Sequence, residues 1–214
     1  MAENSDRVDD TLRRAAQGDT AGWEQLLAGH RDRLRRMVGL RLDRHLQGRI
    51  DPSDVIQEAY LEAWRRLPEY LGNPSVPFFI WLRFLTGQKL ITLHRHHLGR
   101  RMRDAGREIS LHEGAMPEAS SAALAAQLLG RDTRPSEAAM RVELKIRLQE
   151  ALNSMDPVDR EVLSLRHFEQ LNRAETAQVL GLRESAVSKR YVRALEKLKE
   201  ILGATSGLLG EVWP

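Results

Sequence analysis

Asn172-Arg173-Ala174-Glu175-Thr176-Ala177-Gln178-Val179-Leu180-Gly181-Leu182 is the stretch whose reading decides the fold. It reads as a capped short helix that ends in a glycine turn, with Ala174, Ala177 and Leu180 on one side, where small residues permit close helix approach. Beyond the turn, Val187, Tyr191, Ala194, Leu195, Leu198, Ile201 and Leu202 form an apolar stripe at helical spacing. A short helix, a glycine turn and a long helix make the helix-turn-helix pattern. Just upstream, Met155-Asp156-Pro157 opens another helix, with Asp156 as cap and Pro157 in the first turn, where its missing N–H costs nothing. Val158, Val162 and Leu165 mark the buried side of that helix, and Phe168 follows it.

The outer face of the long helix separates a plain helical hairpin from a DNA reader. Arg183, Lys189, Arg190, Arg193, Lys197 and Lys199 stand against Glu184 and Glu196, with Ser185 and Ser188 near the N-terminal end. In this motif the start of the second helix enters the major groove, where short hydroxyls and long basic side chains contact bases and phosphates. A solvated basic face is the alternative.

Working toward the N-terminus, the stretch from Ser110 to Met140 holds eight Ala and four Ser, with Pro117 and Pro135, and reads as a linker. The expected organisation is therefore all-α: a helical domain over 8–105, a linker over 106–140, a second helical domain over 141–202 and a tail over 203–214. Leu124, Leu128 and Leu129 are the linker's only candidate for a short amphipathic contact.

In the first domain Asp51-Pro52-Ser53-Asp54 is a second helix start of the same kind. Val55, Ile56, Ala59, Tyr60, Ala63, Trp64 and Leu67 recur behind it as one apolar face. The other side carries Asp54, Gln57, Glu58, Leu61 and Glu62, which is either a solvated face with a stray leucine or a docking surface for a basic helical partner anchored on Leu61. After Pro68 the run Glu69 to Pro77, with two prolines and a Gly-Asn pair, is expected to be loop. A further helix opens at Phe78-Phe79-Ile80-Trp81-Leu82, with Trp81 and Phe84 expected in the core. It leads into a run from His94 to Arg107 with five arginines and three histidines against one acid, Asp104, a charge pattern that attracts phosphate.

Composition narrows the function further. The 214 residues contain no cysteine, which removes disulfides, thiolate metal sites and cysteine nucleophiles. His94, His96 and His97 do not share a helix face and have no carboxylate nearby to complete a metal site. Neither a nucleophile triad spacing, nor a phosphate-cradling glycine loop, nor HExxH occurs, so nothing points to an enzyme, a metal or a cofactor. No apolar run long enough to cross a bilayer and no secretory signal is present, and a cytoplasmic protein without membrane insertion is expected. Lys plus Arg number 33 and Asp plus Glu 30, so position along the chain matters more than the total of +3.

Asp54-Val55-Ile56-Gln57-Glu58-Ala59-Tyr60, Pro77-Phe78-Phe79-Ile80-Trp81-Leu82-Arg83 and the Arg/His run resemble region 2 of an extracytoplasmic-function sigma factor, the compact class of the sigma-70 family. Met155 to Lys199 resembles region 4 of the same family. The resemblance implies a sigma factor that binds core RNA polymerase and directs promoter-specific initiation, with region 2 recognising and melting the minus-ten element and region 4 recognising the minus-thirty-five element. It assigns Asp54, Gln57, Glu58, Leu61 and Glu62 to the β′ clamp helices of the polymerase, and the partners it implies include the β flap, promoter DNA and an anti-sigma factor. It places Asn73, Ser75, Lys89, Arg95, Arg100 and Arg101 on the minus-ten strand, and Ser185, Ser188, Lys189, Arg190 and Arg193 on the minus-thirty-five duplex. The chain departs from the family pattern at Gly87-Gln88, where Arg-Asn is common, and at Thr92, where an aspartate is frequent. A polymerase-independent helix-turn-helix regulator is the rival reading of the C-terminal half.

Overall fold

The computed structural model describes residues 2–43, 45–98, 116–129 and 138–203. The chain divides into two compact units, Met1–Pro117 and Glu118–Pro214. Among the described residues both are helical, with one isolated bridge pair between Gln47 and Ile50.

The first unit contains α1 (Ala2–Ala16), α2 (Thr20–Arg41), α3 (Pro52–Gly72) and α4 (Phe78–Leu98). Two of these helices start on a local polar device. Asp19 caps α2 by accepting from the Gly22 amide at 2.9 Å, and Asp51 caps α3 by accepting from Ser53 at 2.8 Å, with Pro52 inside the first turn as its sequence predicts. Between the helices the core is apolar: Leu12, Leu34, Met37, Ile56, Leu67, Leu82, Leu85 and Leu90 are all but fully buried. Each such side chain stabilises the unit by about 2 kcal/mol relative to exposure. The Tyr60 hydroxyl donates to the Leu27 carbonyl at 2.8 Å and ties α3 to α2, and its phenol is pushed up to about 12 by burial.

Two expectations for this unit are corrected. The run after Pro68 is helical as far as Gly72, and the loop is only Asn73 to Pro77. Proline removes one backbone hydrogen bond, but Arg66 and Glu69 pair across it at 3.1 Å, and Tyr70 is buried beyond it; these contacts hold the last turn. The apolar faces of α3 and α4 are also narrower than their sequences suggest. Trp64 is 37% exposed and Phe84 46% exposed, because the buried arc of α4 runs through Phe78, Leu82, Leu85 and Leu90 and leaves Phe84 outside it.

The second unit contains α5 (Ser121–Leu128), α6 (Ala138–Ser154), α7 (Pro157–Leu163), a π-helical turn (Ser164–Phe168), α8 (Arg173–Leu180) and α9 (Glu184–Gly203). Within the stretch read as linker, α5 is therefore an ordered helix. Ser120 caps it, Leu124 and Ala125 are buried, and it packs on α6. Arg160 of α7 holds the approach to α5 by donating to Glu118 at 3.1 Å and Ser121 at 3.4 Å. Val162 of α7, Ala177 of α8 and Val187 of α9 form a small buried cluster, with Val158, Leu180, Leu182 and Tyr191 packed against it. The tail beyond 203 lies outside the described residues.

Candidate functional site

Three surfaces hold the candidate site residues. The first is the outer face of α3. Asp54, Gln57 and Glu58 are exposed, and Leu61 stands among them with 57% of its surface in solvent. Asp51 fixes where this helix begins, and the buried face of Val55, Ile56, Ala59, Ala63 and Leu67 fixes its rotation. Together they set one apolar knob in a field of acids and amides. Glu62 differs from its neighbours: its side chain is 29% exposed and its Oε2 lies 3.3 Å from Lys89 Nζ on α4, with Arg65 at 3.9 Å.

The second surface is the loop 73–77 with the start and outer face of α4. Asn73 and Ser75 are exposed. Tyr70 stacks on Trp81 at 4.5 Å between ring centroids and 23° between planes, and its hydroxyl donates to the Val76 carbonyl at 2.9 Å. Burial pushes that phenol up to about 12, so it stays a donor throughout the physiological range. Past the loop, the half-buried Trp81 and exposed Phe84, Gln88 and Arg95 follow at helical spacing along α4. Lys89, expected to face phosphate, pairs with Glu62 at 3.3 Å. At Gly87 a side chain would collide with Met116, whose thioether fills that notch. Arg100 and Arg101 lie outside the described residues.

The third surface is the helix-turn-helix. Asn172 and Glu175 form a reciprocal capping box: the Glu175 amide donates to Asn172 Oδ1 at 2.8 Å, and the Asn172 amide donates to Glu175 Oε2 at 2.7 Å. Gly181 then turns the chain at φ +63°, a left-handed conformation that glycine adopts without a Cβ clash. Arg173 bridges the turn to Glu184 at 2.6 Å. Ser185 and Lys189 are exposed at the start of α9, and the Ser188 hydroxyl donates back to the Glu184 carbonyl at 3.2 Å. Arg190 is turned toward α7: it donates to Asp159 at 2.6 Å and to Asp156 at 3.2 Å. Arg193 reaches the other Asp159 oxygen at 3.5 Å while keeping 62% of its side chain exposed. The Asp159 side chain, 5% exposed, is neutralised by both.

Sequence reasoning singled out the five stripe residues and the basic face but missed these pairings. A signal existed for one of them: Asp156 and Asp159 are three residues apart, as are Arg190 and Arg193, which matches two acids and two bases on facing helices. Nothing comparable announces Glu62 and Lys89, which are 27 residues apart on α3 and α4.

The geometry defines a class, a helical protein of two units whose last two helices form a helix-turn-helix, and comparison with known proteins agrees. Residues 145–198 match the family model for Sigma-70, region 4. The RNA polymerase sigma factor CnrH of Cupriavidus metallidurans is 29% identical over 209 residues, covering 95% of this chain and 97% of that protein. The ECF RNA polymerase sigma factor SigD of Mycobacterium tuberculosis is 27% identical over 200 residues, covering 94% of this chain and 86% of that protein. A solved structure of CnrH in complex with the cytosolic domain of CnrY aligns with a TM-score of 0.53 at 26% identity, covering 94% of this chain and 98% of that one. The chain thus resembles RNA polymerase sigma factors of the extracytoplasmic-function class over nearly its whole length and matches the sigma-70 family at region 4.

Proposed function

We propose that the first unit docks on the clamp helices of the β′ subunit of core RNA polymerase through Asp54, Gln57, Glu58, Leu61 and Glu62. Once docked, it holds the non-template strand of the minus-ten element against the loop 73–77 and α4. The second unit places the start of α9 in the major groove of the minus-thirty-five element and rests on the β flap. The single observation that carries the docking assignment is Leu61, 57% exposed at the centre of an acidic face whose rotation is fixed by its own core. An apolar anchor ringed by acids suits a partner helix that is basic around an apolar contact.

For the minus-ten strand, an extruded base costs a few kcal/mol of unstacking, which stacking and phosphate attraction must offset. Phe84, 46% exposed, and Arg95, about three turns further along the same helix, supply those two chemistries on α4. On α9 the freely exposed Ser185 and Lys189 are the stronger base and phosphate contacts, while Arg190 and Arg193 act from a pair of acids that fixes their direction. CnrH has been solved with the cytosolic domain of CnrY bound to it; an anti-sigma protein bound to this chain would act by covering the docking and DNA-reading surfaces. The domain limits that suit this division of labour are 8–105 and 141–202, with α5 as a helical extension of the second unit.

The test is binding of core polymerase by the double variant Leu61→Arg/Glu58→Lys. Its affinity should fall by about tenfold or more with helical content unchanged. Normal core binding by that variant, together with tight binding of palindromic duplex by the free chain, would return the protein to the class of polymerase-independent regulators.

A further inference from the structure

The acid that ends the α3 stripe and the lysine expected on the promoter strand are partners in the free chain. Glu62 Oε2 and Lys89 Nζ are 3.3 Å apart, and each side chain is only 29% exposed, so water competes weakly for either. Glu62 belongs to the face assigned above to polymerase, and Lys89 to the helix assigned to DNA. We infer that Glu62 is a positioning residue whose charge is shared: in the free chain it holds Lys89, and on docking it pairs with a basic group of the polymerase helix and releases Lys89 to a backbone phosphate. This rests on the docking reading given under Proposed function.

The physical basis is charge balance. A half-buried carboxylate cannot satisfy two cations at full strength, because each additional cation shares the same two oxygens and weakens the contact with the first. A lysine is the suitable member for such an exchange, since its ammonium is a point charge on a flexible stem that reorients without demanding a bidentate geometry. Arg65, 3.9 Å from the same Glu62 oxygen and 72% exposed, keeps the carboxylate compensated while the exchange occurs. Affinity for single strands would thereby be low until polymerase is bound, with no separate inhibitory domain.

The experiment measures binding of a fluorescein-labelled, mixed-sequence single-stranded oligonucleotide as a function of salt, by the free chain and by holoenzyme assembled at saturating core polymerase. Glu62→Gln in the free chain should bind about threefold tighter than the parent, with the salt slope steeper by about 0.7, the increment for one added phosphate contact on a single strand. Lys89→Met should abolish that gain when combined with Glu62→Gln. Glu58→Gln, which removes the same charge one turn earlier on the helix, should change the slope far less. In holoenzyme the parent and Glu62→Gln should have equal slopes. No gain in the free chain, a gain that survives Lys89→Met, or a gain that persists in holoenzyme would each overturn the exchange. If instead the parent chain fails to assemble with core, or Lys89→Met leaves holoenzyme binding to DNA unchanged, it is the docking and strand-contact reading that fails.

Discussion

Asp51-Pro52-Ser53-Asp54 in the first unit and Asp156-Pro157-Val158-Asp159 in the second have the same pattern and start their helices in the same way. They diverge at the fourth residue. Asp54 is exposed on the face proposed to dock on polymerase, whereas Asp159 is buried and holds Arg190 and Arg193 of α9. Asp51 only caps, while Asp156 caps and also receives Arg190. The local code sets where a helix begins. The helix packed against it decides whether an acid is buried in an ion pair or left exposed.

The largest expected effect breaks this contrast directly. Asp159→Ala leaves two guanidinium groups without their buried acceptor and should lower the stability of the second unit by about 3 kcal/mol in urea denaturation. Asp54→Ala at the equivalent position should change stability by less than about 0.5 kcal/mol and instead weaken core polymerase binding. A similar loss from both substitutions would show that the open and closed roles are not distinct.

Acid separates the units next. His30, between Phe78 and Phe79 of α4, is lowered from 6.5 to about 4 by burial, with Arg33 adding repulsion. His94, which accepts from the Asp43 amide at 3.3 Å, is lowered by burial as well. The unfolded chain takes up these protons first, so stability is complete above about pH 6.5 and falls as the pH drops toward 4. For His30 the loss by pH 4 is on the order of 3 kcal/mol. In the second unit the Asp156 carboxyl is lowered from 3.8, chiefly by the Val158 amide, so its contribution is lost only below that pH. His167 of the second unit is likewise lowered by burial, so thermal unfolding from pH 7 to 4 should destabilise both units, the first more because it holds both His30 and His94, and His30→Leu should flatten its dependence.

Two smaller effects sharpen the contrast. Gly181→Ala forces a Cβ into a left-handed turn and should cost the second unit about 1 kcal/mol, measurable as a lower urea midpoint and weaker duplex binding. Smallest is a paired substitution. Asp51→Asn retains a good cap and should be nearly silent, whereas Asp156→Asn retains the cap but removes the charge facing Arg190, lowering the melting temperature of the second unit alone.

Much of this was legible from residue spacing. The caps at Asp51, Asp156 and Asn172, the turn at Gly181 and the stripe of Val187, Tyr191, Ala194 and Leu198 are local signals, and local signals survive folding because they depend on neighbours in sequence. The helix beyond Pro68 was not legible, since its persistence depends on Tyr70 meeting Trp81. Nor was the exposure of Phe84, which is set by how wide an arc of α4 its neighbours cover. The candidate surfaces were named from charge and spacing. Their internal ion pairs were not, because Glu62 and Lys89 become neighbours only when α3 and α4 pack.

The Tyr70 stack and its hydroxyl bond to Val76 have a further consequence for the five-residue loop they span. A flexible loop that grips a base must lose backbone freedom at the moment of capture, at about 1 kcal/mol or more per residue immobilised. Here the loop is anchored before any nucleic acid arrives, through Tyr70 at its entry and Val76 near its exit. Asn73 and Ser75 are thus presented as a preorganised rim, and, on the strand-binding reading proposed above, the ordering entropy of that rim would belong to folding rather than to promoter opening.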